Sequence, residues 1–444
     1  MPDKPPPRGY DQHGRYRRLH GVTTAQSPRA DGIDLSDFDF WARPLEERFA
    51  AFATLRQEPG LAFFAEPEPM SEMIEPGPGY YAVVRHADIV TASGNPKIFS
   101  SASGSTSIPD MPVEFLEFFG SMINMDAPEH VRLRKIVSAG FTPRVMRQIE
   151  SDVQKVASEI VDRVARKGSC DFVSEVAADL PLQIICELMG VPRDQEEMVF
   201  RNSNIILGAA DPEYVPEGGD LAPVLLGAGA ELSDLVQRLA RERRENPTSD
   251  LVSALANAEV DGERLTDSEI GSFFVLLSVA GNETTRNAIS HALVGLTENP
   301  DQRERWQADF EGVAPKAAEE IVRWSSPVTW MRRTVTTPTE LGGQSLSPGD
   351  KLLLFYAAGN RDETVFDDPE SFNVTRDPNP HLGFGGAGPH HCLGAHLARR
   401  EITVMYRELF RRLPDIHVAG EPQRLKSSFV NGIKHLPAEF TPER

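Results

Sequence analysis

The stretch "GFGGAGPHHCLGAH", Gly383–His396, sets glycines, three histidines and one cysteine side by side. Its first six residues spell G-x-G-x-x-G, a phosphate cradle when a hydrophobic strand precedes it and a helix opens at its last glycine. Here "RDPNPHL" precedes it and Pro389 follows, so that context is missing. Cys392 and His396 are spaced i, i+4 and could share a metal. No C-x-x-C or H-x-x-x-H partner stands elsewhere in the chain to complete a zinc site. A third chemistry is a single axial thiolate. The segment after Cys392 reads as a helix with Ala398, Ile402, Met405, Leu409 and Leu413 on one face, which puts the thiol just before a helix N-terminus. Free amides and the positive end of the helix dipole stabilise a thiolate there. Gly385, Gly386, Gly388 and Gly394 let backbone approach a flat ligand, and N–H groups aimed at the sulfur would tune a metal's potential. Such a loop suits an iron held by one cysteine. The plain alternative is a buried core thiol, which is the reading for Cys170 and Cys186.

The elements that must position this loop are legible from periodicity. "LAFFA" (61–65) and "YYAVV" (80–84) predict two strands joined by a Pro/Gly-rich connection, and a second strand-rich region spans about 332–356. Ile149, Val153, Val156, Ile160 and Val164 recur at helical steps, with Gly168 as a stop. Residues 208–220, "GAADPEYVPEGGD", predict a flexible connection. The longest helix starts at a capping box, Thr266 with Glu269, and ends at Pro300. At about 33 residues it would run roughly 50 Å. Its run from Phe273 to Ala280 is apolar almost all round, which predicts a helix buried in the middle of the protein.

The totals exclude several classes. Lysine and arginine number 46 against 66 acids, a net charge of −20, which argues against nucleic acid as a partner. Three cysteines make no disulfide framework and suit a reducing, cytoplasmic setting. No apolar run is long enough for a membrane span. Residues 1–30 are expected to be a flexible proline- and arginine-containing extension, and 31–444 a single domain.

"FGGAGPHHCLGAHLARRE" resembles the haem-binding loop of the cytochrome P-450 superfamily, the haem-thiolate monooxygenases. Three further motifs resemble that family in chain order: "MDAPEHVRLRKIVSAGFTP" (125–143), "AGNETT" (280–285), and "EEIVR" with Glu320 and Arg323 at E-x-x-R spacing. One departure is that Phe384 stands eight residues before Cys392 rather than seven, which leaves its place over the sulfur undetermined. Longer stretches, among them "LPLQIICELMGVP", "VDGERL" and "NPHLGFGG", resemble the actinobacterial methyl-branched lipid omega-hydroxylases.

The resemblance implies a mainly α fold, a large helical bundle with a long central helix and a small β-sheet region. It implies heme b with Cys392 as the iron's thiolate ligand. Cofactor contacts would come from Phe384, Gly388, Gly394, Ala280 and Gly281, with His130, Arg134, Arg333 and His390 on the propionates. Glu283 and Thr284 would deliver protons during oxygen activation, and Glu320, Arg323 and Arg376 would lock the core around the loop. Ile108, Leu276, Val279, Val328 and Phe429 would line the substrate site, with "EFLEFFG" (114–120) near its entrance. The implied reaction is terminal hydroxylation of methyl-branched fatty acids, isoprenoids or sterol side chains by O2. Electrons would come from a ferredoxin and its reductase to a monomer. Arg132, Lys135, Arg399, Arg400, Arg407, Arg411 and Arg412 form the expected basic docking patch. Other readings are a P-450 for a different hydrophobic metabolite, a peroxide-driven relative, and a non-catalytic haem or lipid sensor. The acid–alcohol pair argues against the last two.

Overall fold

A computed structural model describes residues 32–444 apart from 70, 72, 113–114, 116–117, 141–142, 209–210, 216–220 and 260–261. The extension expected over residues 1–30 and parts of the 114–120 and 208–220 segments lie outside these. The architecture is mainly helical with small sheets. Among the described residues no helix is long and apolar enough to cross a membrane.

The central helix, Asp267–Glu298, has the bounds its signals predict. Thr266 Oγ1 accepts from the Glu269 amide at 3.1 Å, and Glu269 returns the contact by accepting from the Thr266 amide at 2.8 Å. This satisfies two amides that a helix start leaves unpaired. Around it pack Asp179–Met189, Glu196–Leu207, Leu221–Glu245, Phe310–Ser325 and Ala395–Arg412. The helix Pro143–Val164 presents its predicted apolar stripe inward, with Ile149, Val153, Val156, Ile160 and Val164 buried, and Gly168 takes the left-handed conformation just beyond it. Cys170 and Cys186 are buried in this helical core, and burial pushes both thiols up to about 12.

The principal sheet places the predicted strands together. Lys351–Phe355 lies between Tyr80–Val83, which it pairs in parallel, and Trp330–Val335, which it pairs antiparallel. Ala62–Phe64 and Phe99–Ser100 form the edges. Alternate residues feed two separate cores. Tyr80, Ala82, Leu353 and Phe355 face one; Tyr81, Val83, Leu352 and Leu354 face the other.

Between this sheet and the helix Ala395–Arg412 the chain crosses residues 361–394 with turns and bends alone. A buried cluster organises the segment. Glu320 accepts from Arg323 through both oxygens at 2.7 and 2.8 Å, and Arg376 Nε lies 3.1 Å from the same carboxylate. The remaining guanidinium donors bind backbone: Arg323 reaches the carbonyls of Asn360, Pro369 and Ser371, and Arg376 those of Asp367, Asp368 and Ser371. Burial raises the Glu320 pKa, but the two arginines outweigh it and hold the carboxyl below its usual range. Arg376 thus joins Glu320 and Arg323, as the family resemblance implies. Glu320→Gln would leave two buried cations under-compensated. It should destabilise the fold by about 3–5 kcal/mol, read as a lower midpoint in urea unfolding. A variant within error of the parent would show that the cluster carries no such weight.

Candidate functional site

No strand precedes Gly383, and the next helix begins only at Ala395, so the loop has no phosphate-cradle geometry. It closes as a wide turn instead. The Cys392 amide donates to the Phe384 carbonyl at 2.9 Å, which brings the two ends of the motif together despite the extra residue. The Phe384 ring belongs to the main core and lies under the Arg399 guanidinium at 4.4 Å. Gly388 has φ +121°, and a Cβ there would sit 2.3 Å from the Ser93 carbonyl. This glycine lets the loop press on the helix His86–Gly94; its demonstrated neighbour is protein.

Cys392 is exposed at the end of the loop, just before the helix Ala395–Arg412. Burial raises its thiol pKa, opposed by the amides of Gly394 and Ala395 and the charges of Arg134 and Arg399.

The central helix opens along one stripe. From Thr285 to Leu296 every side chain is buried, and Phe273, Phe274 and Val275 are buried too. Leu276, Leu277, Val279, Gly281 and Thr284 are only half-buried, and Ala280 is exposed. Elsewhere the helix is largely buried among its neighbours, as its apolar run predicts. Positions 276, 280 and 284 share a face at i+4 spacing, and that face borders open space. Thr284 Oγ1 donates to the Ala280 carbonyl at 2.7 Å, the i−4 contact anticipated from its type. The helix nonetheless continues unbroken.

Glu283 points away from this stripe into the protein. It pairs with Arg286 and accepts from Asn287 Nδ2 at 3.0 Å, while Arg286 also donates to Asn204 Oδ1 at 3.1 Å. Arg286 and Asn204 were not among the predicted residues, although the i, i+3 spacing of Glu283 and Arg286 was a visible signal. Glu401 was also missed. It is buried on the helix after the loop, its carboxyl pushed up to about 8 by burial against a hydrogen bond from Thr285.

The four predicted carboxylate-binding residues fall into one neighbourhood. The His130 and His390 rings stand 4.2 Å apart, and Arg134 donates to the His391 carbonyl at 2.7 Å. Burial and the charges of Arg333, His130 and Arg134 push His390 down to about 3. Burial and Arg134 likewise lower His130. His390 Nε2 is buried without a partner. These groups repel one another's protons, a pattern that an anion among them would reverse.

Of the predicted wall residues, Ile108 and Phe429 lie in one cluster around Trp330, whose ring meets Phe429 at 4.9 Å. Val328 bridges to Val430 beside them. The expected basic patch is largely neutralised within the chain. Arg132 pairs with Glu263 and Glu269, Arg399 with Glu319, Arg407 with Glu311, Arg411 with Glu408, and Arg412 with Asp162 and Glu443. His381 also pairs with Glu319 at 2.7 Å.

The cytochrome P450 family model matches residues 224–414. Over 429 residues the chain is 47% identical to the methyl-branched lipid omega-hydroxylase of Mycobacterium tuberculosis, covering 96% of this chain and 98% of that one. It is 43% identical over 368 residues to a steroid C26-monooxygenase of Mycolicibacterium smegmatis, covering 82% and 84%. Among solved structures, a Mycobacterium marinum cytochrome P450 in complex with pseudoionone superposes with a TM-score of 0.88 at 43% identity, over 94% of this chain and 100% of that one.

Glu319 yields a prediction of its own. Burial raises its carboxyl, but His381 and Arg399 bring it down to about 2. A depressed folded pKa gives stability that is present above the unfolded value and lost as pH falls toward the folded one. The acid limb of stability between pH ~4.5 and ~2 should therefore flatten in Glu319→Gln, followed by fluorescence-detected unfolding; an unchanged limb would remove Glu319 from acid lability. With this geometry and these relatives, the chain belongs to the cytochrome P450 family and is one of its monooxygenases.

Proposed function

We propose that the protein holds heme b through the Cys392 thiolate and hydroxylates the terminal carbon of methyl-branched lipids, isoprenoids or sterol side chains. The observation that carries this is the open stripe Leu276–Ala280–Thr284 on a largely buried helix, together with an exposed Cys392 at the end of the cysteine loop. Haem is a flat group that carries carboxylates. The neighbourhood fits such a group: His390 Nε2 lacks a partner, and His130, Arg134, Arg333 and His390 would receive its carboxylates. Haem, when bound, supplies the activation of O2 that inserts one oxygen atom into a C–H bond.

The chain's own residues would do the rest. Gly394 and Ala395 amides stabilise the thiolate form of Cys392. Thr284 donates its proton to the Ala280 carbonyl, so its lone pairs are left to accept from an O–H group in the cavity. Glu283 must exchange Arg286 for a proton donor before it can relay one. Apolar Leu276, Val279, Val328, Ile108 and Phe429 would hold the chain so that its tip reaches the reacting centre, which sets the position of attack. Support for a branched lipid comes from the activity of the Mycobacterium tuberculosis relative; support for a sterol side chain comes from the steroid C26-monooxygenase.

Electrons would enter from a ferredoxin and its reductase at the groove formed by His130, Val131, Arg134, Lys135, Gly388 and Pro389. Val131 is an exposed apolar residue at its rim. Because so many nearby arginines are already paired, shape and this apolar contact should weigh more than charge in docking.

Two variants test the reading. The reduced, carbon-monoxide-bound protein should show the far-red Soret band of thiolate ligation, and Cys392→Ala should abolish it; a band that survives would exclude Cys392 as ligand. Thr284→Ala should keep that band and the substrate-induced spectral shift. It should also divert most of the consumed electrons to hydrogen peroxide, measured as product per NAD(P)H. Coupling equal to the parent's would take Thr284 out of proton delivery.

A further inference from the structure

Ile108 is gripped by a buried polar quartet that the chemistry above does not use. Lys351 Nζ and Arg332 NH1 both donate to the Ile108 carbonyl, at 3.2 and 3.1 Å. Arg332 also reaches the Pro109 carbonyl at 3.2 Å, and its own amide donates to the Ser105 carbonyl at 2.8 Å. Two acids balance the two cations. Glu66 lies 2.6 Å from Lys351, and Asp110 pairs with both Arg332 and Lys351. The side chains of Lys351, Glu66 and Arg332 are 2%, 3% and 1% exposed, so this is no surface network; Asp110, at 42%, is its outer member.

Burying such charges is costly, and a well-packed apolar set of similar volume stabilises as well or better. Stability alone therefore gives a weak account of the quartet. Its geometry suggests another. Lys351 and Arg332 stand on adjacent paired strands near the centre of the principal sheet, which is a rigid platform. Their donors converge on the backbone of residues 108–109, and Asp110 anchors the following turn. The Ile108 side chain packs in the cluster that contains Trp330, Phe355 and Phe429.

We propose that Lys351 and Arg332, balanced by Glu66 and Asp110, are positioning residues that fix Ile108 and thereby set which carbon of the substrate chain is attacked. This rests on the reading of Ile108 and Phe429 as pocket wall.

The test uses the haem-loaded enzyme and a methyl-branched fatty acid. Three quantities are read: the ratio of terminal to penultimate hydroxylation, the dissociation constant from the substrate-induced spectral shift, and the carbon-monoxide band. Lys351→Met with Glu66→Gln removes the buried pair together, and Asp110→Asn removes the outer carboxylate paired with Arg332 while leaving an amide oxygen that can still accept from it. The ratio should fall roughly five-fold in the double variant and about two-fold in Asp110→Asn, with the carbon-monoxide band intact. An unchanged ratio and affinity in both overturns the proposal. Should the double variant fail to fold, Asp110→Asn alone decides, and an unchanged ratio there overturns it. Ile108→Ala separates the two levels. A changed ratio in that variant, with none in the quartet variants, overturns this inference alone; an unchanged ratio in Ile108→Ala overturns the wall assignment as well.

Discussion

One buried carboxylate, Glu320, holds two arginines, and those arginines hold the backbone that leads into the cysteine loop. Residues 361–394 form no helix or strand that could satisfy their own carbonyls. A segment of this length without regular structure must find donors elsewhere or expose its backbone. Arg323 and Arg376 supply them at Asn360, Asp367, Asp368, Pro369 and Ser371. Neither arginine could sit there uncompensated, and so the loop's position depends on a single acid. The Phe384–Cys392 hydrogen bond and the fit of Gly388 against Ser93 complete the placement from the other end.

The central helix meets the opposite constraint. Most of it is core, which favours apolar residues on every side, yet one stripe must stay open if it is to admit the reactants proposed above. Small side chains solve this at Ala280 and Gly281. A Cβ at Gly281 would lie 2.8 Å from Ile185 Cδ1, so the glycine also allows close packing on the neighbouring helix. Thr284 adds a polar atom to the stripe with its proton already committed to Ala280. Glu283 is turned inward and neutralised by Arg286. The acid and the alcohol, adjacent in sequence, thus occupy different environments, and the relay they would form requires Arg286 to move.

The sequence made some of this legible and hid the rest for physical reasons. The bounds of the central helix were readable because a capping box and a proline act locally. The strands 61–65 and 80–84 were readable because their apolar residues are contiguous. The triad of Glu320, Arg323 and Arg376 came from family resemblance, since an i, i+3 pair looks the same whether buried or solvated. The apolar run Phe273–Ala280 placed its helix in the middle of the protein, but hydrophobicity does not distinguish a side chain against protein from one against open space, and Leu276, Val279 and Ala280 were set apart by family resemblance alone. The basic patch misled for a related reason: Arg412 meets Asp162 and Arg399 meets Glu319 across long stretches of chain. The contact between Lys351 and Glu66, 285 residues apart, had no sequence signal at all.

The proposed reaction places one oxygen atom from O2 on the terminal carbon of a branched lipid chain. It is tested most directly by turnover under isotopically labelled O2, with ferredoxin, its reductase and a methyl-branched fatty acid, followed by mass spectrometry of the product. A single labelled oxygen in a terminal hydroxyl group is expected. A product labelled from water, or one hydroxylated mainly away from the chain end, would contradict it.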